Sequence, residues 1–409
     1  MTTIKDSVHD HIAVEGVAEA LLDTPLVQRL RRVRQLGTVS LVYPSANHTR
    51  FEHSLGVYHL ACEALDHLGI DGLRAERVRA AAILHDVGHG PFSHNIEELV
   101  SRETGKCHDD VADLLAGGAV ADALHAHDLE PDPVAALIAG EGELGQLVAG
   151  ELDVDRMDYL VRDAHHTGVP YGTIDHERLV RELTFIDGAL VLDEGNVQTA
   201  ESLLLARALM NPTVYSHHVA RISKSMLRRA AERLLETAPD ISPADLRRMD
   251  DYQLSVALRG TDATAALGER LANRELYKRA VWAERRDVSD AVVEADHETI
   301  REFEADIAAR ADVDPRHVVV DVPTETAMRE TSTRVLVNGD VRRLDEQSTL
   351  VAALRQAQRE QWRLGVYAPA DQVEPVGYAA EDVLGLETDG ALVSEVRRPG
   401  RHVTLEEFE

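Results

Sequence analysis

Cysteine occurs only twice in the 409-residue chain, at Cys62 and Cys107. That is too few for a disulfide framework or a thiolate-bound zinc site, and redox chemistry is not expected. Lysine is almost as scarce, at Lys5, Lys106, Lys224 and Lys278, so nearly all positive charge is carried by arginine. No apolar run approaches the about 20 residues needed to span a bilayer, and the opening MTTIKDSVHDH lacks a basic-then-apolar signal pattern. The expectation is a soluble, cytoplasmic protein. There is no repeat of 20–50 residues and no low-complexity tract.

Acidity is abundant: 72 Asp+Glu against 43 Lys+Arg give a net charge of −29. Such a balance argues against long nucleic acid as a partner, because affinity for a phosphate backbone comes mainly from Lys/Arg patches. An anionic substrate must find a local group of arginines. Acid excess with little lysine also fits a halophilic protein, whose self-repulsion is screened by salt. With 44% hydrophobic residues the chain can build large cores, and its length suggests two or three domains.

From about residue 10 to 310 the apolar spacing is helical, as in VAEALLDTPLVQRLRRVRQL, SLGVYHLACEALDHL and RVRAAAILHDV. One hairpin is expected at LTFIDGALVLD, turning at Asp187-Gly188. Ser242-Pro243 with Asp245 reads as a helix start. Past Asp312 the texture becomes strand, strand, helix, strand in HVVVDV, TRVLVNGD, STLVAALRQAQREQWRL and GVYAP. The expected architecture is therefore mainly α, a helical domain over 1–310 with a metal core at about 48–165, followed by a small C-terminal α+β unit over 311–409 whose role is unknown.

The chain holds 20 histidines, and their clustering matters more than their number. His53 ends RFEH; His85-Asp86 closes the apolar run AAAIL and is followed by GHGPFSH; Asp155 opens a helix-like stretch. A lone histidine is more often a satisfied surface or core residue than a ligand. An adjacent His-Asp pair at a helix end, however, can direct both groups at one ion, and imidazoles with carboxylates form the ligand set of a divalent metal. His53, His85, Asp86 and Asp155 are the four candidate ligands. Two imidazoles and two acids would leave positions open for water and substrate oxygens, as a catalytic site requires.

The order H…HD…D, carried by RFEHSLGV, LHDVGHGPFSH and DVDRMDYLVRDAHHTG, resembles the HD-domain phosphohydrolases. It is most similar to the branch of deoxynucleoside triphosphate triphosphohydrolases that includes the animal SAM-and-HD-domain enzyme, over about Asp6 to Arg229. The resemblance implies one divalent metal (Fe, Mn, Ni, Zn or Mg), with additional Mg accompanying the nucleotide phosphates. It implies hydrolysis of dNTPs, dGTP among them, to deoxynucleoside and inorganic triphosphate, as a dGTPase-like activity. It places His89, His94 and His108 in the catalytic pocket with Glu97 three residues after His94, so that His94 serves as general acid toward the leaving 5′-oxygen.

Asp155, Tyr159 and Asp163 are spaced by four and so share one helical stripe leading away from the metal. In the family the positions matching Tyr159, Asp163, Gln35 and Leu36 meet the deoxyribose. Arg50, Arg156 and Arg207 are the candidates for a triphosphate clamp; Arg156 stands where the animal enzyme has lysine. Tyr215, with His217 nearby, matches the base contact, although Pro212 interrupts the helical spacing between Arg207 and Tyr215. Asp23, Gln28 and Arg31 match the family's activator site, while KDSVHDH lacks the lysine that holds activator phosphates in the animal enzyme. The resemblance further implies a homo-oligomer, dimer or tetramer. Two other readings stay open: a phosphohydrolase acting on another nucleotide phosphoester (a monophosphate, cyclic dinucleotide or alarmone), and an inactive nucleotide sensor. Native metal and base preference are open as well.

Overall fold

The computed structural model describes residues 1–324 and 333–386. The chain forms two compact units, one comprising Met1–Ala220, Leu227–Glu269 and Met328–Arg355, the other Arg221–Met226, Arg270–Ala327 and Gln356–Glu409. The boundary expected near residue 311 therefore does not describe the division. Its cause is strand pairing. Strands β3 (Leu183–Ile186) and β4 (Ala189–Leu192) form the expected Asp187-Gly188 hairpin, and β4 then pairs in parallel with β7 (Arg334–Val337), which carries β8 (Asp340–Arg343). Part of the expected C-terminal unit thus belongs to the first unit's sheet. The remainder of that expectation over 325–332 and 387–409 lies outside the described residues.

The first unit is mainly α-helical. Its helix Arg50–Leu68 starts at a capping box, with the Glu52 carboxylate accepting from the Thr49 backbone N–H at 2.6 Å and from its hydroxyl at 2.8 Å, and stops at Gly69, whose φ is 65°. The next helix, Gly72–Leu84, ends in Ala80, Ala81, Ala82, Ile83 and Leu84, all 0% exposed. Burial of that last turn on every side drives the following His85-Asp86 into the interior. A third, Val154–Thr167, is capped by Asp153, whose carboxylate accepts from the Arg156 N–H at 2.8 Å. Strands β1 (Thr2–Asp6) and β2 (Asp10–Val14) form an N-terminal hairpin that the helical spacing did not announce.

In the second unit, β5 (Lys278–Glu284), β9 (Arg363–Ala368) and β6 (Val319–Asp321) form an antiparallel sheet in the order β5-β9-β6. Its own apolar core includes Val281, Leu364, Val366, Ile307 and Val376. Strand β5 falls inside the stretch expected to be helical. The Ser242-Pro243 start is present in the first unit as the capped helix Pro243–Arg248. Among the described residues no helix is long and apolar enough to cross a membrane.

Candidate functional site

The first-unit helices bring His53, His85, Asp86 and Asp155 together. His53 Nε2 lies 2.8 Å from Asp155 Oδ1, 3.3 Å from His85 Nε2 and 3.8 Å from Asp86 Oδ2. His85 Nε2 is 3.4 Å from Asp86 Oδ1 and 3.9 Å from Asp155 Oδ1. The far side of each ring is anchored by an acceptor. His53 Nδ1 donates to Asp158 Oδ2 at 2.7 Å, and His85 Nδ1 donates to the Ala82 carbonyl at 2.9 Å. These partners fix the tautomers, so both Nε2 atoms turn toward the two acids.

Two imidazole nitrogens 3.3 Å apart beside two carboxylates require positive charge at their centre. Burial disfavours the charged form of His53, but the bonds to Asp155 and Asp158 and the Asp86 charge prevail and lift its pKa to about 10. The donor set fits a divalent cation, and His53, His85 and Asp86 form a group able to hold one. Asp86 is kept ionised. Burial works against its charge, but Arg50, His85 and His89 outweigh that and hold it well below the usual carboxylate range.

Arg50 is 4% exposed and donates from Nη1 to the two oxygens of Asp86 at 2.8 and 3.0 Å and from Nε to Ser93 Oγ at 2.8 Å. It was expected in a phosphate clamp; in the structure it is foremost the group that positions Asp86. Around Asp158 stands a shell that was not expected. Its oxygens also take His9 Nε2 at 2.7 Å and Arg162 at 2.8 and 3.0 Å, and Arg162 reaches on to Asp6 at 2.8 and 3.2 Å. Arg162 and Asp158 are 0% exposed. Gly56 makes room for this shell, since a Cβ there would lie 1.9 Å from Asp158 Oδ1. The only signals in the sequence were Asp6 and His9 in KDSVHDH and the arginine of VRD, which mean little without their partners.

A second histidine group adjoins the first. His89 Nε2 is 3.3 Å from Asp86 Oδ1, and its ring stacks on His108 with centroids 4.3 Å apart while His94 approaches edge-on at 4.7 Å. Glu97 joins the other two: His94 Nδ1 donates to Oε2 at 2.5 Å and His108 Nδ1 donates to Oε1. His94 lies on the short turn Ser93–Asn95 and Glu97 begins the helix Glu97–Thr104, so the expected pair forms across a helix start rather than along one helix. Burial would raise the Glu97 pKa, yet bonds from His108 and His94 hold it well below the carboxylate range. Burial likewise opposes charge on His108, and Glu97 overrides it and raises the pKa. His89, buried and beside the Arg50 charge, is pushed well below its usual value and stays neutral.

Along the Val154–Thr167 helix, Asp155, Tyr159 and Asp163 occupy the expected stripe. Asp163 accepts from His48 Nε2 at 2.8 Å and from the Tyr215 hydroxyl at 2.9 Å. Gln35 joins through its backbone N–H, which donates to the His48 carbonyl at 3.1 Å, and its Oε1 is buried without a hydrogen-bond partner among the described residues. His48 therefore links Gln35, Asp163 and Tyr215, a role the sequence did not reveal. Leu36 packs at the edge of the main core. Pro212 does not turn Tyr215 away, because the helix Val197–Met210 continues as a π-helical turn, Asn211–Tyr215, that absorbs the proline. Burial raises the pKa of both Tyr159 and Tyr215, and the charge of Arg207 on that helix works against the shift. Arg156 donates to the Glu151 carbonyl at 2.9 Å, and His217 caps the following helix by accepting from Val219 N–H at 3.2 Å. Of the activator candidates, Gln28 Oε1 accepts from Arg31 Nε at 2.9 Å, Arg31 lies 3.6 Å over the Phe51 ring, and Asp23 is an exposed helix cap.

Comparison with known proteins agrees with this geometry. An HD domain is matched over residues 50–163 and an HD associated region over 174–395. The chain belongs to the HD-domain phosphohydrolases. An uncharacterized protein of Methanocaldococcus jannaschii is 34% identical over 91% of this chain and 80% of its own length. The deoxynucleoside triphosphate triphosphohydrolase SAMHD1 homolog of Dictyostelium discoideum is 29% identical over 67% of this chain, which spans 59% of that relative. A crystal structure of a phosphohydrolase from Bacteroides thetaiotaomicron superposes with a TM-score of 0.72 at 26% identity, covering 90% of this chain and 100% of that one. These likenesses place this HD-domain phosphohydrolase in the SAMHD1-like branch.

Proposed function

We propose that this HD-domain protein hydrolyses deoxynucleoside triphosphates to deoxynucleoside and inorganic triphosphate. The observation that carries the reading is the convergence of His53, His85, Asp86 and Asp155 beside a second cluster, Gln35, His48, Asp163 and Tyr215, at the far end of one helix stripe. The first four would hold a divalent ion, which when bound supplies Lewis acidity to a phosphoryl oxygen and lowers the pKa of water. Water adds to the α-phosphorus, releasing a proton to solvent, as the bond to the 5′-oxygen breaks. His94, held by Glu97, delivers the proton to that oxygen, while neutral His89 and His108, whose positive charge Glu97 favours, accommodate the phosphate oxygens. Arg156 and Arg207 take the β- and γ-phosphates, and Arg50 keeps Asp86 in place.

The sugar meets Asp163, Gln35 and Leu36. The unpartnered Gln35 Oε1 accepts a 3′-hydroxyl, and Tyr159 packs under C2′, where a ribose hydroxyl would collide. Tyr215 and His217 face the base. The reading includes a cytoplasmic, halophilic homo-oligomer, with Asp23, Gln28 and Arg31 as its activator contacts. To test it, the protein is incubated with each dNTP and, separately, Mn, Fe, Ni, Zn or Mg in buffers from low to molar salt. Deoxynucleoside and triphosphate are the expected products. Orthophosphate release, or turnover of monophosphates and cyclic dinucleotides in their place, would assign the site to another phosphoester; uptake of nucleotide with no product would make the protein a sensor.

A further inference from the structure

A pocket of about 500 Å³ lies behind the metal-binding loop in the first unit, outside the cluster described above. Its size suits a small ligand. Its lining combines the apolar Pro25, Leu26, Val87, Leu114 and Val120 with Arg29, Arg247, Arg248 and Asp113. In a chain of net charge −29, three guanidinium groups around one carboxylate stand out. That carboxylate is already shared, 3.3 Å from Arg247 Nη1 and 2.7 Å from Lys106 Nζ. Arg29 is 8% exposed and has no carboxylate partner among the described residues. Its Nη atoms donate only to carbonyls, those of Met249 and Val87 at 2.8 Å and of His89 at 2.7 Å. Among the described residues, Nε of Arg29 and Nε of Arg247, the latter residue 5% exposed, are buried without hydrogen-bond partners. Arg29, with no carboxylate partner among the described residues, and the exposed Arg248 give the pocket lining more positive charge than the Asp113 carboxylate shared by Arg247 and Lys106 can balance, which is the condition an anion relieves.

Each of these arginines also grips a catalytic segment by its backbone. Arg29 holds the carbonyls on both sides of Gly88, next to Asp86 and including His89 itself. Arg247 Nη2 donates to the Asp110 carbonyl at 2.5 Å, two residues beyond His108. The segments touch at Gly88, where a Cβ would stand 1.9 Å from the His108 carbonyl oxygen. We propose that this pocket binds a small organic anion, a phosphate or carboxylate on an apolar body, between Arg29, Arg247 and Arg248, and that the bound anion adjusts the stacking of His89 on His108. The binding stands by itself; only its effect on turnover rests on the hydrolase reading.

The test is calorimetric titration of the full-length protein with phenylphosphonate and, to distinguish the head groups, benzoate. Ala119, exposed on the pocket rim, is replaced by Trp to fill the space, and the exposed Arg248 is replaced by Ala. Saturable binding of at least one probe is expected, weakened about tenfold or more in Ala119→Trp and in Arg248→Ala and unchanged in His85→Ala. Bound probe should also slow amide exchange at residues 87–89 and 107–113. Thermal melts establish that each variant is folded, and the surface change at Arg248 keeps the test decisive if the tryptophan disturbs the helix. Absence of binding, binding indifferent to both pocket changes, or binding lost in His85→Ala alone would overturn the proposal. The readout is ligand uptake and is decided whether or not any dNTP is hydrolysed.

Discussion

The two neighbouring histidine groups differ in how their rings are anchored, and that difference separates their chemistry. In the first, each Nδ1–H is held by a different buried acceptor, Asp158 for His53 and the Ala82 carbonyl for His85, so the two Nε2 atoms turn toward each other. In the second, His94 and His108 share the single carboxylate of Glu97, and His89 packs against both rings with neither nitrogen hydrogen-bonded among the described residues. Separate rigid anchors suit a fixed cation site. A shared anchor suits rings that exchange protons, because charge gained by one is felt by the other through the same carboxylate.

The contrast can be broken experimentally. The largest effect is expected for His85→Ala, which removes a ring from the first group: metal analysis should show uptake lost together with all hydrolysis. Retained metal would contradict the assignment of that group. His94→Ala touches only the second group and should lower kcat by about 10²–10⁴-fold with metal content unchanged; a variant that loses its metal would erase the division. Asp158→Asn weakens an anchor rather than a ligand, and a fall in metal affinity of about 10–100-fold is expected by competition with a chelator.

The smallest effect concerns the backbone that carries the second group. Phe92 and Ser93 have φ of 57° and 54°, a conformation that costs energy for residues with side chains. Asp251 helps hold it, accepting the Phe92 N–H at 2.6 Å and the Arg34 N–H at 3.1 Å. Burial pushes the Asp251 carboxyl up to about 6 from 3.8, against those hydrogen bonds. The folded state therefore binds this proton more tightly than the unfolded chain. Its stabilisation is full below about pH 3.8 and is lost as pH rises through about 6. The melting temperature of the wild type relative to Asp251→Asn should accordingly fall between pH 4 and 6; a difference independent of pH would show that Asp251 is not the titrating group.

What could be read along the chain was chemistry compressed into short segments. His85 and Asp86 are adjacent, and Asp155, Tyr159 and Asp163 repeat every helical turn, so local spacing was enough to group them. What escaped was chemistry made by distance. His48 meets Asp163 across 115 residues, and His9 meets Asp158 across 149, with no local pattern to mark either. The fold shows the same limit. Helices that bury one face were legible from their period, whereas β5, seven residues long, becomes a strand only by pairing with β9. The expected boundary near 311 failed for the same reason, since β7 owes its place to β4 far upstream.

The N-terminal hairpin has a consequence for how the enzyme comes into being. Asp6 and His9 are made about 150 residues before Arg162 and Asp158, and until those follow they lack these partners. A loop of that length closes slowly and late. Assembly of the ion-binding centre should thus coincide with one of the last steps of folding, so that a chain halted midway has the pieces of the centre without the anchor that orients them.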